Sequence, residues 1–455
     1  MGKETDMNKI THILVLMCGL SLFSCNNDID TPKEFNADEE LLQLLEEKGQ
    51  GKGLAFFQLP ESTDFSSIPQ DPDNPLSAQK VALGKLLFHE TAIATKPKFV
   101  DNKGGYSCAS CHHADAGFQA GLMQGIGEGG EGFGVSGEGR AAMPHIPEDS
   151  LDVQPVKSPS ILNGAYQENL LWNGQFGAGG LNKGTEAQWT EGTPKAVNHL
   201  GFQGLETQAI AGMTVHRLAI DQWVQEDAAY GPEFDQIYQH LPKEERCNIE
   251  TAGLAIAAFE RTVLSNQAPF QNYLKGQGNA MTVEQKQGAI VFFGKGACSN
   301  CHTGPALNSM SFHALGMPDM PENGRAGIVP EDVQLGRGGF TQNPEDNYKF
   351  KTPQLYNLKD SPFYGHGGSF HSVEEVVRYK NQATPAKSEV TGQWLAEDFK
   401  PLNLTEAEIK NLVDFIENAL YDPNLSRYVP EVLPSNQCFP NNDPMSKQDL
   451  NCDGV

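Results

Sequence analysis

Two copies of a Cys-x-x-Cys-His motif constrain this chain more than any other feature. Their cysteines and histidines are Cys108, Cys111, His112, Cys298, Cys301 and His302. This spacing allows two thiols to bond covalently to one haem while the adjacent histidine ligates its iron. A zinc knuckle or a redox dithiol also uses Cys-x-x-Cys, but both copies carry the following histidine, and neither has a second cysteine pair at zinc-finger spacing. The sequence therefore predicts two covalently bound c-type haems, with one histidine of each motif as an iron ligand.

Length and charge set the class of molecule. The 455 residues are enough for two ordinary domains plus an extension, and 38% hydrophobic residues can supply buried cores. The formal net charge of -25 argues against nucleic acid as a partner. The same charge predicts a surface that attracts basic or neutral donors, although acidic side chains also serve solubility alone.

The N-terminus is typical of an export signal. Two lysines precede an apolar stretch over residues 10–23, which is too short to span a membrane as a mature helix. A small residue precedes Cys25, which resembles the bacterial lipobox pattern. We therefore expect residues 1–25 to act as a lipoprotein signal peptide, so that the protein is exported to the periplasm or outer membrane and lipid-anchored through Cys25. Met7 is an alternative start.

The remaining cysteines fit an exported protein. After the signal peptide, the lipid site and the haem motifs are set aside, Cys247, Cys438 and Cys452 are left. Outside the cytoplasm, a short-loop disulfide between Cys438 and Cys452 would clamp the C-terminal tail, and Cys247 would be a buried or spare thiol. Three free thiols are the alternative.

The chain is predicted to be mainly α. Residues 26–72 are acidic and proline-containing, and apart from a short helix near residues 41–45 we expect a tether. Helical periodicity is found at residues 77–90, 251–264, 282–293 and 405–420. Two of these segments begin with capping boxes, Thr282-x-x-Gln285 and Thr405-x-x-Glu408. Alternating strand patterns are scarce.

The sequence also indicates an internal duplication. Residues 158–163 mirror residues 352–357, and Leu205-Glu206 mirrors Val373-Glu374-Glu375. We expect two related cytochrome c-like helical domains with one haem each, joined by long Gly-rich loops at residues 117–139 and 174–184. The predicted divisions are the signal peptide at 1–25, the tether at 26–72, the domains at 73–265 and 266–435, and a tail at 436–455.

Six segments in a fixed order carry a family resemblance. They are residues 83–88, 108–112, 172–174, 258–262, 298–302 and 365–369. In this order they resemble the bacterial di-haem cytochrome c peroxidases, including the maturation enzyme of methylamine dehydrogenase, over about residues 75–420. The resemblance implies that the N-terminal haem is the peroxide site, that the C-terminal haem receives electrons and that a tryptophan lies between them. Trp172 matches that tryptophan, and it can also serve as a core aromatic residue.

The peroxide site needs a group that takes a proton from one oxygen and returns it to the departing one. In the family, a glutamine and a glutamate stand over the peroxide haem. Gln208 matches the glutamine, but residues 213–217 hold no carboxylate where the glutamate is expected. His216 lies in that segment and is predicted to be the acid-base group, because imidazole titrates near neutrality. A structural, hydrogen-bonding histidine is the alternative.

Two further family features depart from the pattern. Many members block the resting peroxide haem with a histidine from the loop after the first motif. Here the later histidine of that loop is His145, which we interpret as a surface residue, and members resembling the maturation enzyme lack the blocking ligand. The family's calcium ion between domains is unsupported, because Lys157 stands where an asparagine ligand is expected.

The second haem has an unusual candidate ligand. Family peroxidases supply a methionine to this iron, and the maturation enzyme supplies a tyrosine. The matching position holds Lys380, with Tyr379 beside it. Because a methionine ligand raises haem potential, a lysine or tyrosine would lower it. Three methionines closer to the second motif are alternatives: Met310, Met317 and Met320.

Three functions follow, in this order. The first is an exported peroxidase that reduces hydrogen peroxide to water, using electrons that an external donor protein or other reductant passes through the C-terminal haem. The second is an oxidase of another substrate, resembling the maturation enzyme. The third is a non-catalytic di-haem electron carrier. Whether the chain forms a homodimer is left open.

Overall fold

The computed structural model describes residues 36–227 and 229–452. The predicted signal peptide and Cys25 lie outside these described residues. The α-helices are α1 Ala37–Lys48, α2 Ala78–His89, α3 Gly204–Val215, α4 Gln222–Glu226, α5 Gly231–Ile237, α6 Ile249–Arg261, α7 Pro269–Leu274, α8 Val283–Phe293, α9 Glu331–Gln334, α10 Arg337–Thr341, α11 Val373–Gln382, α12 Glu406–Asp414 and α13 Pro444–Asp449. No helix within the described ranges is long and apolar enough to cross a membrane.

Strands are few and short, as the sequence predicts. Two antiparallel pairs form, β1 Gly130–Glu131 with β2 Ala141–Ala142 and β3 Phe312–His313 with β4 Phe350–Lys351. The other described residues form 3₁₀ turns, loops and one π-helical turn, Phe415–Ala419, which directly follows α12. The Gly-rich segments at 117–139 and 174–184 lack α-helix, as expected, although the first contains the two residues of β1.

The four predicted long helices all form. Ser77 caps α2, and the predicted capping boxes at Thr282 and Thr405 open α8 and α12. In each box, the threonine side chain and the side chain three residues later satisfy the free backbone N–H groups of the helix start. One further box was missed at Asn248, whose side chain accepts from the Thr251 N–H at the start of α6. Helix α6 therefore begins two residues earlier than predicted.

Each of the two hydrophobic cores contains two helices that cross at a glycine. In the first core, α2 crosses α6, and a Cβ at Gly84 would collide with the Ala255 carbonyl oxygen. In the second core, α8 crosses α12, and a Cβ at Gly288 would collide with the Asn411 carbonyl oxygen. Glycine thus brings each pair of helix backbones into direct contact, which a side chain would prevent. The first core includes Val263 and the second Leu264, next to the predicted division at residue 265.

The turns after the haem motifs repeat as well. Asn163 and Asn357 both adopt a left-handed conformation, with φ of 57° and 54°, and each precedes a short 3₁₀ turn. Asparagine tolerates this conformation better than most residues. The mirrored sequence segments therefore share a backbone geometry. The division into two separately folding domains stays a prediction.

The described part of the predicted tether is not a tether. Leu41 and Leu45 on α1 are fully buried in the second core, together with Phe57 and Leu59. Helix α1 packs against α8, and Lys286 of α8 pairs with Asp38 at 2.8 Å. The predicted short helix near residues 41–45 does form, but it is longer and packs into the core, because leucines spaced four residues apart share one helical face.

The C-terminal tail is clamped. Cys438 and Cys452 form a disulfide, as one of the sequence alternatives predicts, whereas Cys247 is a free thiol. Between the two half-cystines, Asp443 forms a buried ion pair with Arg140, at 3.4 Å. Asp449 accepts from the N–H groups of residues 133 and 134, at 2.7 and 2.8 Å. The tail thus fastens the long loop that follows the first haem motif.

Candidate functional site

One cavity of about 610 Å³ is lined by both Cys-x-x-Cys-His motifs. A volume of this size lies within the range of roughly 300–1,000 Å³ for sites that hold cofactors and other small molecules. Its wall includes all four motif cysteines and both motif histidines, and it also includes Gln208, His216, Trp172 and Lys380. Residues far apart in the sequence therefore converge on one internal space.

The first motif is a 3₁₀ turn held from outside the cavity. Ser110 Oγ accepts from the Ser107 N–H at 2.9 Å, and both serine hydroxyls donate to the Pro440 carbonyl in the tail. His112 Nδ1 lies 3.4 Å from the Phe118 carbonyl oxygen. A proton on Nδ1 leaves the lone pair on Nε2, which is the form that ligates iron.

The second motif repeats this arrangement. His302 Nδ1 lies 3.1 Å from the Leu307 carbonyl oxygen and 3.0 Å from that of Pro353. Burial lowers the pKa of His112 to about 4 and that of His302 to about 3, so both imidazoles are neutral at physiological pH. Neutral imidazole with Nδ1 anchored to a carbonyl is the state that haem iron requires.

The side chains fit haem better than zinc. The four motif cysteines are free thiols, so they are available for thioether bonds. Within residues 36–227 and 229–452, no three His, Cys, Asp or Glu side chains are grouped to hold a metal ion. A zinc knuckle would need four such ligands together. Both motifs are therefore suited to hold a covalent haem, which brings its own porphyrin nitrogens to the iron.

Helix α3 presents a polar face to the cavity near the first motif. Gln208, Gly212 and His216 are spaced four residues apart and therefore lie on one side of the helix. A Cβ at Gly212 would lie 3.6 Å from Gln208 Nε2 and 3.9 Å from His216 Cδ2. A methyl group at this position would be in ordinary contact with both side chains, so the amide and the imidazole flank Gly212. The buried carboxylate of Asp152 lies behind His216, with Oδ2 2.9 Å from its Nδ1.

Trp172 lies between elements of the two halves. Its Nε1–H donates to the Lys157 carbonyl at 2.8 Å, and its own carbonyl accepts from the Lys351 N–H at 2.8 Å. The ring meets the edge of His366, with centroids 6.4 Å apart, and His366 stacks on Phe350 at 3.6 Å with an interplanar angle of 9°. Three aromatic side chains therefore form a continuous contact along the cavity wall.

The chain was compared with known proteins. The family model for "Di-haem cytochrome c peroxidase" matches residues 78–279. This region includes the first Cys-x-x-Cys-His motif and helix α3. It is 28% identical over 384 residues to the cytochrome-c peroxidase IdrP1 of Denitromonas iodatirespirans, which covers 79% of this chain and 86% of that protein. It is 27% identical over 375 residues to the methylamine utilization protein MauG of Methylorubrum extorquens, which covers 81% and 84%.

The fold is also found in a solved structure. A MauG-like protein associated with microbial copper homeostasis matches with a TM-score of 0.54 and 22% identity, over 81% of this chain and 95% of that one. At this identity the likeness concerns the fold, which agrees with the predicted mainly helical class.

Lys380 and Tyr379 are the residues named from the sequence as candidate ligands of a second haem. Lys380 on α11 lines the cavity, and burial lowers its pKa, while Cys298 and Cys301 act against this. Tyr379 does not line the cavity, because its hydroxyl donates to the Leu315 carbonyl at 2.6 Å and accepts from the Ala386 N–H. Of the two residues named from the sequence, only Lys380 can reach this space.

The three methionine alternatives also differ in whether they line the cavity. Met317 lines the cavity, whereas Met310 and Met320 do not, and Met320 is buried in the protein interior. A Cβ at Gly365 would lie 3.7 Å from Met317 Cε and 3.9 Å from its sulfur. Met317 and Lys380 are thus the two candidates that share the second half of the cavity.

Two other sequence expectations concern residues at the edge of the site. His145 is an exposed residue, paired with Asp101 at 2.7 Å, and it does not line the cavity. Lys157 is buried, and its Nζ donates to the Ala120 and Leu122 carbonyls and to Ser361 Oγ, at 2.6, 3.0 and 3.0 Å. An amine thus occupies the group of oxygens that a calcium ion would need, and calcium stays unsupported.

Sequence reasoning missed several residues of the cavity wall. Asp152 is 64 residues from its partner in a loop, so no local pattern marks it. His313, whose Nε2 lies 3.5 Å from Cys301 Sγ, sits on a two-residue strand that gives no periodic signal. Glu260 was noted only as part of a family segment, yet it lines the cavity, and burial together with Glu206 raises its pKa to about 8.

Proposed function

We propose that the protein reduces hydrogen peroxide to water at the first haem motif. The observation that carries this proposal is the polar face of α3, where Gln208 and His216 line the same cavity as His112. The balanced reaction takes one peroxide, two electrons and two protons to two waters. The electrons come from an external donor protein or small reductant and enter through the second motif.

A haem held by Cys108, Cys111 and His112 would supply the redox chemistry that cleaves the O–O bond. Gln208 has an amide N–H to donate to one peroxide oxygen and a carbonyl to accept from the other. His216 would take a proton from one peroxide oxygen and return it to the other, which leaves as water. Both side chains line the cavity on either side of Gly212.

Electron transfer between the motifs is assigned to Trp172. Its ring lines the cavity between the two halves, and its hydrogen bonds to Lys157 and Lys351 fix its orientation. The contact with His366 and the stacked Phe350 extends this aromatic path. The indole N–H donates to a backbone carbonyl, which accepts no proton, so the indole would keep its proton while an electron passes.

Export and lipid anchoring through Cys25 are part of the same proposal. A disulfide between Cys438 and Cys452 supports an oxidising compartment such as the periplasm. Replacing Cys25 with alanine is expected to move the protein from the membrane fraction to the soluble fraction. Unchanged membrane fractionation of this variant would count against the anchor and leave the catalytic proposal intact.

The decisive experiment is rapid mixing of the di-haem protein with peroxide. General acid-base groups contribute about 10²- to 10⁴-fold, so His216→Ala should slow the peroxide step by this factor while both haems stay bound. His145→Ala is the matched control, because that exposed histidine is remote from the cavity. His302→Ala should spoil electron delivery and leave the first site open. A His216→Ala protein that reacts at the wild-type rate would show that another group carries the proton.

A second candidate is oxidation of another substrate, as in the maturation enzyme. It is favoured by Lys380 standing where the peroxidases of the family have methionine, since a lower potential at the second haem would change which donor can reduce it. Steady peroxide turnover with a reduced electron donor separates the peroxidase from this oxidase. A wild-type protein that does not react with peroxide in any redox state would be an electron carrier.

A further inference from the structure

The carboxylate behind His216 is the feature that the proposed function does not yet use. Asp152 Oδ1 and Oδ2 lie 3.1 and 2.9 Å from His216 Nδ1. The aspartate side chain is 4% exposed, whereas 37% of the histidine side chain is accessible where it lines the cavity. One ring nitrogen is therefore engaged by a buried acceptor, and the other remains for a molecule in the cavity.

The backbone and a glycine fix the position of Asp152. Its N–H donates to the Glu128 carbonyl at 3.0 Å, and its carbonyl accepts from the Gly127 N–H at 2.9 Å. A Cβ at Gly127 would collide with Asp152 Oδ2. The carboxylate can take its place against His216 only because residue 127 has no side chain.

Other titratable groups surround His216, and the charge of Arg217 acts to lower the pKa of both His216 and Asp152. Arg217, the next residue, is paired through Nε with the buried carboxylate of Glu128. His112 faces the cavity from the first motif as a neutral imidazole, and the Tyr106 phenol lines the same wall. In the described part of the chain, no side chain other than His216 donates a hydrogen bond to the Asp152 carboxylate. This carboxylate therefore acts on His216 above all.

We propose that Asp152 is a positioning residue that holds His216 with its proton on Nδ1 and makes Nε2 a stronger base toward the peroxide proton. The inference rests on the proposed function, in which His216 is the acid-base group. A neutral carboxamide in place of Asp152 could equally donate to Nδ1, which would move the imidazole proton to Nε2 and point a donor at the substrate. A buried Asp–His pair would thus replace the single glutamate of the family pattern.

The charges around His216 give this pair a pH signature. Burial lowers the pKa of His216, but the Asp152 carboxylate outweighs burial and raises that pKa above its ordinary value. A general base works in its deprotonated form, so the rate of the peroxide step should rise with pH through the pKa of His216. Removal of the carboxylate should move the midpoint of this rise to lower pH.

The test compares Asp152→Asn with the wild type, both carrying two haems, between about pH 5 and 8, where an imidazole titrates. We expect the plateau rate with peroxide to fall about 10- to 100-fold, as for other loss of a carboxylate that orients a histidine, and the midpoint to move to lower pH. Asp149→Asn is the matched control, because this exposed aspartate lies three residues away on the same loop. It should change neither quantity.

Two additions keep the test decisive. Gly127→Ala displaces the carboxylate without removing its charge, and it should move the midpoint in the same direction even if Asp152→Asn does not retain haem. Binding of hydrogen cyanide to the oxidised protein also requires a base that accepts a proton. The pH dependence of cyanide binding therefore measures the effect of the Asp152–His216 pair without turnover. Midpoints unmoved in both variants would overturn the role of Asp152 and leave the peroxidase intact. A wild type that binds cyanide with the expected midpoint but ignores peroxide would overturn the function and keep the pair.

Discussion

The two haem halves share a frame and differ in what one helix presents to the cavity. In the register that matches Glu206 with Glu374, the residue six positions later is Gly212 in the first half and Lys380 in the second. Gly212 has no side chain and lies between Gln208 and His216, whereas Lys380 places a long side chain in the cavity wall. We therefore expect this helix position to separate a site that is open to peroxide from one that is filled.

The surroundings reinforce this difference. The first motif is held by the disulfide-clamped tail through Pro440, and its loop supplies Asp152 to His216. The second motif is anchored by Pro353 within its own half. The two halves therefore share the helix crossings and the histidine anchoring of their motifs, and they differ in their loops and at single helix positions.

The largest expected effect is the loss of one haem from one half. Replacing Cys108 and Cys111 with alanine should remove one haem mass and abolish the reaction with peroxide, because thioether bonds hold the haem at that motif. Replacing Cys298 and Cys301 should also remove one haem mass but leave the first site able to bind cyanide. Mass spectrometry and cyanide titration measure both results. A native protein that contains zinc and no haem would show that neither half is a haem site and would refute the comparison of the two halves.

Replacing the residue at position 380 with the one found at position 212, and the reverse, should exchange which of the two sites is open to ligands. Lys380→Gly is expected to open the second haem and raise the cyanide stoichiometry from one to two, and Gly212→Lys should fill the first site and abolish peroxide reactivity. The backbone at Gly212 has an ordinary φ, so the substitution meets no conformational strain. Met317→Leu is the control for the neighbouring candidate. If Met317→Leu opens the second haem and Lys380→Gly does not, the ligand is the methionine.

Stability should also differ at the starts of the equivalent helices α3 and α11. Arg261 is fully buried and pairs with Glu206 of α3 through two hydrogen bonds, at 2.8 and 2.6 Å. Arg261→Met leaves that carboxylate buried without its cation, which typically costs about 3–5 kcal/mol. Thermal unfolding should show the loss. A melting temperature close to that of the wild type would show that the buried pair contributes little to stability.

The helix crossings should respond alike in the two halves. Gly84→Ala and Gly288→Ala each push a methyl group against a backbone carbonyl, and overpacking of this kind costs about 1–3 kcal/mol. Alanine favours a helix over glycine by about 0.8–1.0 kcal/mol. A net loss of stability would therefore show that the collision with the carbonyl outweighs this preference. Gly278→Ala is the control, because no atom lies near its Cβ position. Unequal losses would show that the cores are less alike than their crossings.

Local signals in the sequence predicted the positions of the long helices well. Capping residues fixed the starts of α2, α8 and α12, because caps and their partners are three residues apart. The short helix at Leu41 and Leu45 was also predicted, but the acidic composition of the segment led us to expect a tether where these leucines pack into the core. The motif residues of the site, with Gln208, His216 and Trp172, do converge on one cavity.

Other parts of the site could not be predicted because their partners are distant in sequence. Asp152 meets His216 through a loop whose path depends on Gly127 and on pairing with Glu128. The choice between Tyr379 and Lys380 depends on the direction of each side chain from α11, and neighbouring residues on a helix point about 100° apart. Sequence position alone left both residues open, whereas the hydrogen bond from Tyr379 to Leu315 separates them.

The smallest effect on stability is expected at α11, the counterpart of α3 in the second half. Arg378 pairs with Glu374 of α11 at 2.7 Å and with Glu406 of α12 at 2.6 Å, and both carboxylates are more than half exposed. Water solvates both charges when such a pair separates, so its contribution to folding is slight and is screened further by salt. Arg378→Met should therefore leave the melting temperature within error of the wild type at physiological ionic strength. A loss as large as that of Arg261→Met would show that burial does not distinguish the two halves.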